Sequence, residues 1–280
     1  MEASLIQVLT LLFIGAVAGT LGGLLGIGGG LVMIPAMTIL LGDRFGPNSF
    51  HLYKLAAIAT AIVLSIPAAL RHHRAGAIVP RMIPSMLALA VLGSVAGVVG
   101  AAPLSDNYTF WLKRLFGGFL QCVVAWSLVQ DWWRQSDKAG LRRSCPMPTR
   151  HGLIGTVVGL PAGVVSGLLG IGGGIWAVPA QTLFLGVRLQ NAIANSCGMI
   201  VGVAAATSIS QSVAIAAHMP DLRVTDGWWL ALWLAPGAIL GGWGGAGLTH
   251  RLPTTGLRYA FYLLLVIVGI RLLGAAPPTA

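Results

Sequence analysis

Apolar positions along this chain gather into long unbroken runs instead of alternating with polar ones. The runs cover 5–25, 31–41, 54–70, 82–102, 110–129, 151–170, 175–186, 192–217, 228–248 and 257–274. Most approach the roughly 20 residues that a helix rising about 1.5 Å per residue needs to cross about 30 Å of hydrocarbon. No ten-residue alternating pattern of the kind a membrane barrel requires is present, so the elements predicted are membrane-spanning helices. Two runs, 31–41 and 175–186, are too short to span, and the expectation for them is half-helices that turn back or meet each other at mid-membrane.

The two short runs follow two copies of one motif. "LGGLLGIGGGLVMIP" at 21–35 returns as "VSGLLGIGGGIWAVP" at 165–179, and comparing 19–36 with 163–180 gives eleven identities in eighteen positions. The same offset of 144 pairs Gly93, Gly97, Gly100, Leu104 and Arg114 with Gly237, Gly241, Gly244, Leu248 and Arg258, so each half is one structural unit. About nine extra residues fall in the 42–53 loop of the first half. The organisation expected is a first transmembrane repeat at 1–130, a linker at 131–150 and a second repeat at 151–280. Five segments per half is an odd number, so the second half enters the membrane from the opposite side. The fold class is therefore all-α: a polytopic membrane protein of two inverted repeats, eight to ten segments in total, broken at the glycine motifs.

Charge supports that topology. Lys and Arg favour the cytoplasmic side; placing the linker there, with Arg134, Lys138, Arg142, Arg143 and Arg150, also places Arg71, Arg74, Arg81, Arg188, Arg251 and Arg258 there. The opposite side then holds fewer cations: Arg44, Lys54, Lys113, Arg114, Arg223 and Arg271. The chain is 56% hydrophobic and only 9% charged, with a mean hydropathy of +0.85, outside the range of soluble domains. Its net charge of +10 is spread over short loops, which argues against a nucleic-acid partner. The first segment lacks a basic leader and is expected to be retained.

Candidate enzyme chemistry is thin. Cys122, Cys145 and Cys197 form neither a pairing framework nor a metal-ligand spacing, so no metal and no cofactor are expected. "GIGGG" lacks the G-x-G-x-x-G spacing, because position 31 is Leu, and no βαβ unit surrounds it. Cys197 and Ser196 have no histidine nearby in sequence, and the chain is read as a non-enzyme.

The glycines carry the sharper expectation. Gly15, Gly19 and Gly23, with Gly159, Gly163 and Gly167, form ladders at spacing four that suit close helix packing. The triplets Gly28, Gly29, Gly30 and Gly172, Gly173, Gly174 do not, since neighbouring positions face different ways. With Gly26 and Gly170 they predict helix breaks whose amides and restarting helix N-termini offer a site to an anion. Pro35 and Pro179 are expected to limit how far each helix resumes. None of the seven acids, Glu2, Asp43, Asp106, Asp131, Asp137, Asp221 and Asp226, lies inside an apolar run. A carboxylate-based cation or proton path therefore lacks its usual residue. Small polar side chains within the runs, Thr60 and its repeat partner Asn195 with Ser196 beside it, are candidates to complete the anion's hydrogen bonds, though helix-to-helix bonding fits them as well. Gln181 and Thr38 are weaker candidates. "RHHR" at 71–74 reads chiefly as a basic cytoplasmic loop and otherwise as an electropositive vestibule, and His218 and His250 read as helix-end residues. The Trp pairs at 132–133 and 228–229 read as interfacial anchors.

The doubled glycine motif, the "AIAT" ending at Thr60, "HHRAGAI" at 72–78 and the repeat layout resemble the TauE/SafE family of exporters of sulfite and organosulfonates, over essentially the whole chain. "ANSC" at 194–197 departs from the "ATS" seen in many members. The resemblance implies a transporter of small sulfur oxyanions in the bacterial cytoplasmic membrane, with a small anion and lipid as partners. Alternating access and net export are the mechanism and direction expected. The oligomeric state stays open, a homodimer among its forms. A cation or metal channel, and a membrane assembly protein that transports nothing, are the other functional classes considered.

Overall fold

A computed structural model of the chain describes residues 5–41, 45, 49–101, 114, 117–118, 121–122, 124–125, 128 and 151–274. The linker, Trp132, Trp133 and Cys145, most of the fifth segment of the first half, and Asp43, Arg44 and Asp106 lie outside the described residues.

The described elements are α-helices. The first half contributes α1 (Leu5–Leu25), α2 (Gly30–Leu41), α3 (Ser49–Arg74) and α4 (Ile83–Ala101). The second contributes a continuous rod made of α5 (His151–Ile154), a π-helical stretch (Gly155–Gly159) and α6 (Leu160–Leu169), then α7 (Gly174–Leu183), α8 (Leu189–His218), α9 (Val224–Arg251) and α10 (Thr254–Leu273). Five described segments are long and apolar enough to cross a membrane: α1, α3, α4, residues Gly152–Leu169 and α8. Many large apolar side chains face outward, among them Phe13, Leu92, Leu232, Leu240 and Ile267, the reverse of a soluble surface.

Packing follows the repeat. α1 lies against α9, and its counterpart α6 lies against α4, the counterpart of α9. Likewise α3 packs on α9 and α8 on α4, while α3 and α8 pack on each other across the centre. Ile58 and Ala61 cluster with Ile200 and Ala204, whereas the earlier Leu52 and Leu55 cluster with the later Ile215 and Leu222. The equivalent helices α3 and α8 thus run antiparallel.

The glycine ladders fill the tightest seams. A methyl on Gly19 would stand 2.5 Å from the Ala238 carbonyl oxygen, and Gly15 and Gly23 press equally on Leu234 and Gly242 of α9. Gly159, Gly163 and Gly167 meet Met86, Ala90 and Ser94 of α4 in the same register. Lipid tails are as apolar as leucine, so such seams cohere through close contact between backbones and not through exclusion of water. The π-helical stretch belongs to one repeat only. Pro161, where the first half has Val17, has no N–H for the Val157 carbonyl, and Trp176 Nε1 donates to that carbonyl at 3.0 Å.

Two expectations need correction. Pro35 and Pro179 do not stop their helices: each lies at the sixth residue of α2 or α7, and the helix continues to Leu41 or Leu183. Each proline leaves one carbonyl four residues earlier, that of Leu31 or Ile175, without the amide donor of a regular helix, and the helix runs on past it. Nor is 71–74 a loop. These residues form the last turn of α3, with His72 fully buried and Arg71 and Arg74 turned to the Trp243 ring at 5.1 and 5.6 Å.

Candidate functional site

α1 ends and α2 begins across Gly26–Gly30, and α6 ends and α7 begins across Gly170–Gly174. The two breaks have nearly one geometry. Gly26, Gly28 and Gly29 have φ of 69°, 83° and 74°; Gly170, Gly172 and Gly173 have 72°, 81° and 72°. These left-handed angles cost an ordinary L-residue about 1–2 kcal/mol each, which is why glycine fills them. Gly26 and Gly170 close the preceding helices, their amides donating to Gly22 and Ser166 at 2.8 Å.

The breaks also meet. A methyl on Gly30 would stand 2.8 Å from the Gly170 carbonyl oxygen, and one on Gly174 would overlap the Gly26 carbonyl, the same contact with the halves exchanged. Gly28 and Gly172 face each other, a Cβ on either lying 3.5 Å from the other's Cα. These matching contacts cross between Gly28 and Gly172, with Ile27, Ile171, Ile193 and Met33 buried around them.

Polar groups divide unevenly over this junction. The carbonyl ends of the broken helices are capped by donors: Ser196 Oγ to Gly26 O at 2.7 Å, Thr249 Oγ1 to Leu24 O at 2.9 Å and Lys54 Nζ to Leu168 O at 2.8 Å. His72 Nε2 lies 3.3 Å from Gly23 O. By contrast, the amides of Gly28, Gly29 and Gly30, and of Gly172, Gly173 and Gly174, donate to no backbone acceptor among the described residues. Each helix N-terminus carries about half a positive charge. Two such ends converge here, and α1 to α4, the π-helical rod, α7 and α8 contain no Asp or Glu to offset them.

The side chains singled out from sequence fall into two groups. Ser196 reaches the first break, as described. Asn195, Gln181 and Thr60 are fully buried but engaged elsewhere. Asn195 Oδ1 accepts the Val79 amide at 2.7 Å and its Nδ2 donates to Gln181 Oε1 at 2.9 Å. Gln181 Nε2 donates to Ala177 O at 3.0 Å and Ala192 O at 3.3 Å. Thr60 and Thr38 donate back to Ala56 and Ile34 of their own helices, both at 2.8 Å. Asn195 and Gln181 therefore tie α7, α8 and the turn after α3 into one wall behind the breaks.

Sequence reasoning missed Lys54, Thr249, His72 and His250. Lys54, which the charge pattern reads as a topology cation, is 4% exposed, and its side chain packs over Gly170. Its position inside "YKLAAIAT", ahead of Thr60, was the available signal, since lysine is costly at membrane depth unless it finds a partner there.

The sulfite exporter TauE/SafE family profile matches residues 11–272. The chain is 28% identical over 270 residues to a probable membrane transporter protein of Haemophilus influenzae, covering 95% of this chain and 97% of that one. It is 26% identical to the probable membrane transporter protein YunE of Bacillus subtilis, with 94% and 96% covered. It is also 26% identical to the probable membrane transporter protein MamO of Magnetospirillum gryphiswaldense, where 96% of this chain matches but spans only 45% of the longer relative. No solved structure matches. The family match over nearly the whole chain, the apolar helices and the doubled helix breaks agree: this is a multi-pass membrane transporter for a small substrate, and it belongs to the TauE/SafE sulfite exporter family.

Proposed function

We propose that the protein exports a small sulfur oxyanion, sulfite or an organosulfonate, across a bacterial cytoplasmic membrane by alternating access around the paired breaks. The observation that carries this reading is the reciprocal meeting of the breaks, with carbonyl ends capped and glycine amides open. An oxyanion between the two helix N-termini would accept from those amides and offset their converging positive ends. The binding set is the amides of Gly28, Gly29, Gly30, Gly172, Gly173 and Gly174, shaped by Gly26 and Gly170, with Ser196 at the rim. Asn195 and Gln181 hold the surrounding helices in place, and Thr60, bonded back to Ala56, stays on the helix beside them. Between the breaks themselves the contact is mostly glycine against backbone, and no backbone hydrogen bond joins one break to the other among the described residues.

Residues 1–130 and 151–280 are the two repeats, inverted about the Gly28 and Gly172 contact, with 131–150 a cytoplasmic linker. The antiparallel run of α3 and α8 supports inversion, because an axis along the membrane normal would leave equivalent helices parallel. The turn after α3 meets the start of α8 through Asn191 Nδ2 and Ala77 O at 2.8 Å, which groups Arg71, Arg74, Arg81 and Arg188 at one end. Arg223 lies at the other, beside Leu222 and Leu52. A membrane-impermeant thiol reagent applied outside cells is expected to label Asp221→Cys and spare Arg81→Cys. Labelling of both, or of Arg81→Cys alone, overturns the inverted topology.

The function is tested in proteoliposomes with radiolabelled sulfite and methanesulfonate against a divalent-cation control. Saturable flux of either oxyanion, with none of the cation, is expected. Cation flux without oxyanion flux assigns the protein to the channel or cation-carrier class instead.

A further inference from the structure

We propose that His72 and His250 form a proton-binding site on the carbonyl end of α1, and that the proton held there is coupled to transport. The coupling rests on the anion-transport reading above; the proton site does not.

His72, fully buried in the last turn of α3, joins two groups. Its Nε2 faces Gly23 O at 3.3 Å and its Nδ1 faces His250 Nε2 at 2.9 Å, the rings meeting edge to face with centroids 5.0 Å apart. A carbonyl only accepts, so Nε2 of His72 carries a hydrogen. In the neutral pair, Nδ1 of His72 is then an acceptor and Nε2 of His250 its donor, which leaves His250 Nδ1 as the open basic nitrogen. His250 is half-buried near the end of α9, so a proton from water adds at that Nδ1. The hydrogen on His250 Nε2 then crosses to His72 Nδ1. His250 ends neutral with its hydrogen on Nδ1, and His72 ends as an imidazolium donating to both His250 Nε2 and Gly23 O. In the first step an N–H bond forms as an O–H bond of hydronium breaks, releasing water; in the second one N–H bond forms and one breaks, and a unit of charge has moved from the protein's edge to a fully buried position.

The destination matters. Gly23 lies three residues before the Gly26 break, at the end of α1 where the helix dipole favours a cation. In the other half the matching end of α6 is capped at Leu168 by Lys54. One break is thus backed by a lysine and the other by an imidazole, a group that can take up and release a proton.

The charges near the pair are cationic. Arg71, His73 and Arg74 flank His72 on α3, and Arg251 follows His250 on α9. Arg71 donates to Trp243 O at 2.7 Å, and it and Arg74 rest on the Trp243 ring. α1 has no ionisable residue, and the nearest cation before α8 is Arg188, while Gln190 of α8 reaches Thr249 O at 3.3 Å. Asp226, the only acid on α1, α3 or α9, is at the far end of α9, so no carboxylate locks the pair in its charged form.

The test uses the purified full chain. In infrared difference spectra recorded as pH is lowered from about 8 to about 3, wild type is expected to show an imidazole-protonation component absent from both His72→Gln and His250→Gln and retained in His73→Gln. In proteoliposomes the probe is methanesulfonate, a strong-acid anion that carries no proton of its own. An imposed gradient of about one pH unit is expected to raise its flux several-fold in wild type and His73→Gln, and the ratio of flux with to without the gradient falls to about one in His72→Gln and His250→Gln. Survival of the infrared component or of the gradient response in both variants overturns the proposal. Loss of the component in a protein whose wild type moves no oxyanion upholds the proton site and overturns the anion reading.

Discussion

Gly29→Val and Gly173→Val are expected to abolish oxyanion flux in proteins that still insert and remain monodisperse. Both glycines stand at left-handed angles, φ 74° and 72°, that a β-branched residue occupies only with strain. Both also back onto the preceding helix at equivalent places. A Cβ on Gly173 would lie 2.5 Å from Ala162 O; one on Gly29 would lie 3.2 Å from Ala18 O and 2.9 Å from the Leu64 side chain. The break must refold to admit valine, and the amides on either side turn with it. A displacement costing roughly 3 kcal/mol of transition-state stabilisation corresponds to about a hundredfold in rate. Two comparators separate this effect from general packing. Gly28→Ala has room, its nearest neighbours at 3.4–3.5 Å, but shares the angular penalty, and a loss of about tenfold is expected from about 1–2 kcal/mol. Gly19→Ala, in the body of α1 against Ala238, is expected to lower stability by about 1–3 kcal/mol with flux per folded molecule unchanged. The measurement is methanesulfonate flux normalised to monodisperse protein. Normal flux in the Gly29 and Gly173 variants would reduce the breaks to packing devices.

The breaks were legible in the chain because glycine writes backbone conformation directly into sequence. Three left-handed residues in five can hardly be built from anything else, and repetition at an offset of 144 marked the pattern as architecture. The short α2 and α7 were legible for a related reason: length alone bars them from spanning. The partners of the polar side chains were not. Asn195 meets a residue 116 positions away, Ser196 one 170 away and His72 one 178 away. No local periodicity encodes such pairings. At 71–74 the composition of a basic loop concealed a helix end, whose consecutive residues point in different directions. Arg71 and Arg74, three apart, share the face turned to Trp243, while His72 faces α1. For Asn195 the sequence left ligand and helix-to-helix bonding both open, because its acceptor role toward Val79 depends on an element 116 positions away.

Asn195→Leu is expected to destabilise the protein by about 2–6 kcal/mol, the largest stability effect among the site residues, because it strands two buried groups at once. The Val79 amide loses its acceptor at 2.7 Å and Gln181 Oε1 loses its donor at 2.9 Å, and each orphan costs about 1–3 kcal/mol. Leucine has nearly the volume of asparagine plus a methyl, so the polar loss outweighs any cavity. Gln181→Leu alone leaves Asn195 Nδ2 its weaker acceptor, Met82 Sδ at 3.7 Å. The double variant leaves only the Val79 amide newly exposed to want, so its cost is expected to fall short of the sum of the singles by about 1–3 kcal/mol. Thermal unfolding in detergent across this cycle measures the coupling. An additive cycle, with Asn195→Leu melting like wild type but no longer stabilised by added methanesulfonate, would assign Asn195 to the substrate and break the wall apart. The expected result instead makes the wall a condition of the site: α7 carries both Gln181 and the open amide of Gly174, so the bond from Asn195 that holds α7 against α8 also sets the direction in which that amide points.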